Sequence, residues 1–329
     1  MARAKKSSST EPESSATSTG GSNVFYVSQS KVKTWRRCHY AYHLRYVENL
    51  RPKKVSRPLQ FGRLVHEAIE KYANGDDWQE ALDVEANTPE LEEILETARI
   101  VMTEYFEHWP EKSLVYVRMN GKAAEHEFQV EISDGIVAKG KIDAFAKAKG
   151  MRWLVEHKTF SKMMNDDHRW RNLQSSVYIR VVDILGWKPV EGTIWDNIRS
   201  KPPMRPEVLK SGKLSQRQLD TLPTAVLETL NDLGLNPRDY EHLLEGARQN
   251  RGEYFKRIFN PTKPQVVDIL FADFIETARE MSERHGKSKV KSIENHCDWC
   301  DFEPICRAEL QGSDVDYTKE REFYVEEDG

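Results

Sequence analysis

The sequence predicts an α/β protein whose core runs helix–three strands–helix–strand, with further helices before, after and inserted within it. Three observations predict this. Apolar residues recur at three- and four-residue spacing over 61–73, from Phe61 through Leu64, Val65, Ala68 and Ile69 to Tyr72. The period then changes to two, with Phe128, Val130 and Ile132 alternating with Glu127, Gln129 and Glu131. Helical spacing returns over 169–185, where Leu173, Val177, Val181 and Ile184 share a face.

Taken in order, residues 1–23 read as a disordered Ser/Thr-rich tail with no apolar stretch of the secretory type. Residues 28–50 read as a helix opening on Ser28 as its cap, followed by the 61–73 helix and a longer one over 89–109 that stops at Trp109-Pro110. Strands are expected at 127–132, 136–146 and 152–159, the last two joined by a turn at 147–150, and a fourth strand at 192–198. KPPMRP excludes regular helix just after 200, so 200–262 reads as an insertion carrying a small helical subdomain. A helix follows at 264–285, and from about 312 the chain reads as a loosely attached acidic tail. The expected organisation is one domain over 24–311: an N-terminal helical part (28–110), a core (120–199), the insertion (200–262), and a C-terminal helix with a cysteine cluster (263–311).

The chain has 329 residues, 38% hydrophobic and 31% charged, with a formal net charge of −4. No run approaches the ~18 apolar residues of a membrane span, so no membrane partner is expected. The overall charge does not advertise nucleic-acid binding, but its distribution does. Between Lys31 and Arg63 there are ten Lys/Arg against one acid, Glu48, interleaved with Trp35, Tyr40, Tyr42, Tyr46 and Phe61. Such a stretch can neutralise phosphates, although a solvated basic face is the commoner origin of a charge run.

Strand alternation places Glu156 and Lys158 on one face, and the hairpin can bring Asp143 alongside them. Two carboxylates at one point suit a hard divalent cation such as Mg²⁺ or Mn²⁺. Such an ion polarises a phosphate oxygen and acidifies a bound water. Lys158 can position that water or stabilise charge developing on the phosphate, and His66, at the edge of its helix's apolar stripe, can add an imidazole. Against this stands the ordinary reading of Glu-x-Lys on a strand, an exposed charge-paired face.

The four cysteines are placed unevenly: Cys38 alone, then Cys297, Cys300 and Cys306 as C-x2-C-x5-C. In a cytosolic setting thiols stay reduced, so metal binding is expected before disulfides. Four thiolates suit an iron–sulfur cluster or zinc, and His39, His43 and His296 nearby leave a mixed Cys/His zinc site open. Either would close a loop of roughly 260 residues and clamp the basic N-terminal segment to the C-terminal one.

GRLVHEAIE, GKIDAF, WLVEHKT and LQSSVYI, in that order, resemble the RecB-like branch of the PD-(D/E)xK nuclease superfamily, whose fold is restriction-endonuclease-like. CDWCDFEPIC resembles its iron–sulfur members, including AddB-type nucleases and the RecB-like exonucleases associated with CRISPR adaptation, and IWDNIRSKPPMRPEVLKSGKLS resembles their phage-encoded relatives. The resemblance implies His66, Asp143, Glu156 and the backbone carbonyl of His157 as ligands of Mg²⁺ or Mn²⁺, with Lys158 as the catalytic lysine. Gln174 and Tyr178, one helical turn apart, match the family's Q-x3-Y and would touch DNA. A further Glu serves some relatives; Glu125 and Glu127 both compete for that place. The family's P-D is Ile142-Asp143 here. Cys38, Cys297, Cys300 and Cys306 would hold a structural 4Fe-4S cluster.

The implied activity is exonucleolytic DNA hydrolysis, on single-stranded ends and 5′→3′ by family habit, in phage or bacterial recombination, repair or replication. The implied setting is the cytoplasm, the host's if the chain is phage-encoded. HGKS at His285–Ser288 is no P-loop, since Met281 stands where the first glycine is required. Helicase activity would therefore come from a partner, and a recombination partner or a second copy of the chain is left open. The competing reading is a catalytically silent DNA-end binding module stabilised by the cysteine site.

Overall fold

The structure, a computed structural model, describes residues 24–109, 113–162 and 168–327. The expected tail over 1–23 lies outside them. The described residues form a mixed seven-stranded sheet flanked by helices, which confirms the α/β class.

A short strand, β1 (Phe25–Val27), leads into α1 (Gln29–Arg37), capped as expected by Ser28, whose side chain accepts the Lys31 N–H. The single helix expected over 28–50 is two. Cys38 is extended (φ −165°, ψ 117°) and separates α1 from α2 (His39–Tyr46). No Pro or Gly causes this break; it turns the Cys38 side chain toward a cavity shared with the C-terminal segment. After β2 (Leu50–Pro52), α3 (Arg57–Asn74) buries Phe61, Leu64, Val65, Ala68 and Ile69 and leaves His66 at their edge. It ends on Gly75 at φ 95°, a left-handed C-cap that glycine adopts without steric cost. The next helix, α4 (Pro89–His108), opens on a Thr88 cap.

The sheet is built on a long strand. After β3 (Val115–Tyr116) and β4 (Ala124–Ser133) comes β5 (Ile136–Ala148), then β6 (Met151–Phe160). Ala144 pairs with both Ala124 and Val155, and Ala138 with both Val130 and Val27. One edge of β5 therefore carries β4, and the other is shared by β6 and, further back, β1. Asp143 sits at the fork between those two partners. Beyond α5 (Leu173–Ile184), β7 (Gly192–Arg199) lies parallel to β6.

The 200–262 stretch contains the expected helices, α6 (Pro223–Asp232) and α7 (Glu241–Tyr254), but it is not wholly an insertion. It ends in β8 (Phe255–Pro261), antiparallel to β7 and part of the central sheet. The sequence hid β8 because Arg257, buried within it, stands where a strand pattern calls for an apolar residue.

After α8 (Pro264–Arg284), the chain ends in α9 (Glu303–Leu310), α10 (Val315–Glu322) and β9 (Phe323–Val325). The expectation of a loose tail from 312 is corrected here. β9 pairs antiparallel with β2, and Phe323 is buried against Phe302 in a cluster with Tyr40, Leu44 and Ile305. An acidic composition concealed this short strand, in which Phe323 alone is buried, by distant parts of the chain, while Tyr324 and Val325 stay exposed.

One apolar cluster packs the sheet against α1, α5 and α8, through residues such as Val32, Val181 and Phe274. A second joins α3 and α4 to Ile198 and Phe255. No helix among the described residues is long and apolar enough to cross a membrane.

Candidate active site

The β5–β6 ladder ends at Ala144–Val155, one residue short of Asp143 and Glu156. Where the strands part, the Asp143 carboxylate takes over the pairing: its Oδ2 accepts the His157 N–H at 2.9 Å. His66 comes down from α3. Its Nε2 lies 3.1 Å from the His157 carbonyl oxygen, and its Nδ1 lies 3.9 Å from Asp143 Oδ2. A carbonyl only accepts, so Nε2 carries the proton and the Nδ1 lone pair faces the carboxylates. The His157 carbonyl orients His66, a role that backbone carbonyls commonly play for metal-binding histidines.

The structure brings Glu125, and not Glu127, beside Asp143. The β4–β5 register pairs Ala124 with Ala144 and His126 with Ile142, which sets Glu125 across from Asp143. Ligand atoms of His66, Glu125 and Asp143 lie within 4.8 Å of one another; among the described residues they form the one such group of three. Glu127 is exposed and outside it. Glu125 has φ 58°, a left-handed backbone that costs a non-glycine residue about 1–2 kcal/mol. Strain of this kind gathers at functional sites. Its Oε2 also receives Lys141 Nζ at 2.7 Å.

Glu156 is 1% exposed. Its Oε2 accepts Lys158 Nζ at 2.9 Å, while Oε1 is buried without a hydrogen-bond partner. A buried carboxylate oxygen with no donor is costly unless something else satisfies it. Burial pushes the Asp143 and Glu156 carboxyls up, and their mutual repulsion adds to this at Glu156. Burial works to lower the Lys158 ammonium, and the Glu156 and Asp143 carboxylates override it and hold Lys158 above its ordinary value. Burial, then His157 and Lys158, push His66 down to about 4, so its imidazole is neutral at neutral pH. Carboxyls raised by burial, a neutral imidazole and a carboxylate oxygen with no protein donor make a donor set whose charge a cation would balance. The residues fit a divalent ion: His66 Nδ1, Glu125, Asp143 and the free Oε1 of Glu156 are oxygen and nitrogen donors suited to Mg²⁺ or Mn²⁺.

The Q-x3-Y pair divides its work. Gln174 Oε1 accepts Lys158 Nζ at 3.1 Å, so Gln174 helps hold the lysine. Tyr178 is 8% exposed, edge-on to Phe128. Gly140 leaves it room: a Cβ there would meet the Phe128 ring at 2.8 Å and Tyr178 Oη at 3.5 Å.

All four cysteines line one cavity of about 240 Å³, with Tyr40, Ile293 and Phe302 among its walls. Burial pushes the Cys300 and Cys306 thiols up. Much of the basic stretch is committed internally: Arg36 to Thr277, Arg45 to Asp301, Arg51 to Glu326, Lys54 to Glu90 and Arg57 to Glu93.

Sequence reasoning missed a group behind the site. Asp196, on β7 beside His157, is fully buried among Arg257, His157 and Tyr105. Its signal was a lone acid inside the otherwise strand-like Gly192–Arg199 run.

A family model described as the PD-(D/E)XK nuclease superfamily matches residues 26–307, and the chain belongs to that family. It is thus a nuclease, a hydrolase of phosphodiester bonds. No curated protein matches it.

Proposed function

We propose that this chain is a divalent-metal-dependent DNA exonuclease acting on single-stranded ends, in the 5′→3′ direction, and stabilised by a 4Fe-4S cluster. The observation that carries the catalytic reading is the convergence of His66, Glu125 and Asp143 beside a buried Glu156 whose Oε1 has no partner. The bound ion would supply Lewis-acid polarisation of the scissile phosphate and an acidified water. His66, Glu125, Asp143 and Glu156 would hold it. Lys158, charged and fixed between Glu156 and Gln174, offers an ammonium to the negative charge that builds on the phosphate oxygens. Gln174 orients Lys158, and Tyr178 backs the wall of the site.

Exonuclease action, the preference for single strands and the polarity rest on the resemblance of the RecB-like segments. So do a role in phage or bacterial recombination, repair or replication, and reliance on a separate helicase. The cluster reading rests on four thiols facing one cavity. The choice of iron–sulfur over zinc rests on the resemblance of CDWCDFEPIC to the iron–sulfur relatives, with Cys38, Cys297, Cys300 and Cys306 as the ligands and structural stabilisation as the cluster's contribution.

The test is cleavage of single-stranded DNA labelled at either end, with Mn²⁺, by wild type and Asp143→Ala. The reading expects Mn²⁺-dependent release of short products from the 5′ end by wild type alone. Binding without cleavage by wild type would instead identify a silent DNA-end binding module.

A further inference from the structure

His157 stands between Glu156 and Lys158, and its peptide is held at both ends while its ring lies beside Asp196. Its peptide N–H donates to Asp143 Oδ2 at 2.9 Å, and its carbonyl accepts from His66 Nε2 at 3.1 Å. Two of the three convergent groups are therefore oriented by the peptide atoms of this one residue. Its ring, 4% exposed, stands edge-on to that of His66 at 6.0 Å between centroids and sets Nδ1 3.2 Å from Asp196 Oδ2, an ion-pair contact outside hydrogen-bond geometry.

Asp196 is itself held from several directions. It neighbours His157 in the parallel β6–β7 pairing. The Tyr105 hydroxyl, from α4, donates to the same Oδ2. Arg257 Nε, from β8, donates to Oδ1 at 3.1 Å. Arg257 also reaches Tyr105 Oη at 3.0 Å and Ser113 Oγ at 2.6 Å, so its guanidinium is fixed as well. Asp196 and Arg257 are 0% and 7% exposed in their side chains. A buried ion pair of this kind is weak grounds for stability, because apolar residues of the same volume often serve a core as well or better. Its distinctive property is direction: each partner can occupy one place only.

We propose that Asp196, held by Tyr105 and Arg257, is a positioning residue for the metal centre. It acts by anchoring the His157 ring, which sets the peptide atoms that orient Asp143 and His66. The proposal rests on reading the convergent carboxylates as a metal site. It extends that site across the sheet, from the carboxylates on β5 and β6 to a support on β7, β8 and α4.

The experiment is calorimetric titration of the full chain with Mn²⁺, without DNA, alongside melting in EDTA. His157→Leu and Asp196→Asn are expected to weaken Mn²⁺ binding by about 10–100-fold, the usual cost of removing an outer partner of a metal ligand. His157→Asn, whose amide can donate to Asp196 from nearly the Nδ1 position, should stay within about threefold of wild type. Tyr105→Phe, which leaves the ion pair intact, should shift binding the same way to a smaller extent, and it serves if Asp196→Asn does not fold.

A purely structural role would lower melting in EDTA and leave Mn²⁺ affinity unchanged, and that result overturns the proposal. So does His157→Asn binding as weakly as His157→Leu. Absence of Mn²⁺ binding by wild type would remove the metal-centre reading and the proposal with it. Wild-type binding with unaffected variants would remove the proposal alone.

Discussion

Replacing Lys158 by Met separates the chemistry of this site from its capacity for metal. The ammonium lies 2.9 Å from Glu156 Oε2 and 3.1 Å from Gln174 Oε1, and the neighbouring carboxylates keep it charged. Methionine keeps most of the apolar stem and deletes the charge. Removing one preorganised donor of this kind typically costs 10²–10³ in rate, about 2.7–4 kcal/mol of transition-state stabilisation. Metal binding should move the other way. The ammonium competes electrostatically with a cation for Glu156, so its loss should leave Mn²⁺ affinity equal or tighter. In EDTA the variant should melt lower, because Glu156 then has both oxygens buried without a partner. Breaking a buried pair costs roughly 3–5 kcal/mol when the survivor stays charged, and less here, since Glu156 can take up a proton. Saturating Mn²⁺ should narrow that deficit. The assay is single-turnover cleavage of labelled DNA at saturating Mn²⁺, with the metal affinity measured in parallel. Cleavage within about threefold of wild type would refute the role given to Lys158. A rate loss fully explained by weaker Mn²⁺ binding would refute it equally.

Further expectations follow from the same geometry. Cys38→Ser should lose iron and the brown colour of anaerobically purified protein. Reopening a loop of roughly 260 residues releases on the order of 5 kcal/mol of closure entropy. For a domain of this size that amounts to a melting drop on the order of 10 °C, and unchanged iron content would contradict the assignment. Gly192→Ala should destabilise by roughly 1–3 kcal/mol, read by thermal unfolding, because its Cβ would fall 2.3 Å from the Asn260 carbonyl oxygen where β7 and β8 close together. Mn²⁺ affinity should fall on acidification sooner than at an exposed carboxylate site. Asp143 and Glu156 have folded values raised by burial, so they hold protons that the ion must displace. The same sign makes their ionisation a burden on the metal-free fold, one relieved as pH drops through those raised values. Calorimetric affinity across the acidic range tests the direction, and an affinity indifferent to pH would exclude it.

The legible part of this protein was its periodic part. The apolar stripe of α3 and the alternation of β4 are local patterns, and they placed His66 and the strands bearing Asp143 and Glu156 correctly. What escaped was decided by distant partners. The break at Cys38 has no local cause, since the residue is extended so that it faces the cavity shared with Cys297, Cys300 and Cys306. β8 was masked by Arg257, whose burial makes sense only once Asp196 is beside it. β9 is three residues long, too short for a period to show, and is secured by β2 and Phe302. Glu125 could not be chosen over Glu127 from alternation, because the left-handed backbone at Glu125 departs from the regular strand.

The most direct test of the metal centre is an anomalous difference map from crystals of the protein soaked in Mn²⁺. The account predicts a peak bounded by His66 Nδ1, Glu125 and Asp143, within coordination reach of Glu156 Oε1, which no protein donor engages. Manganese bound elsewhere, or none at these residues, would contradict it.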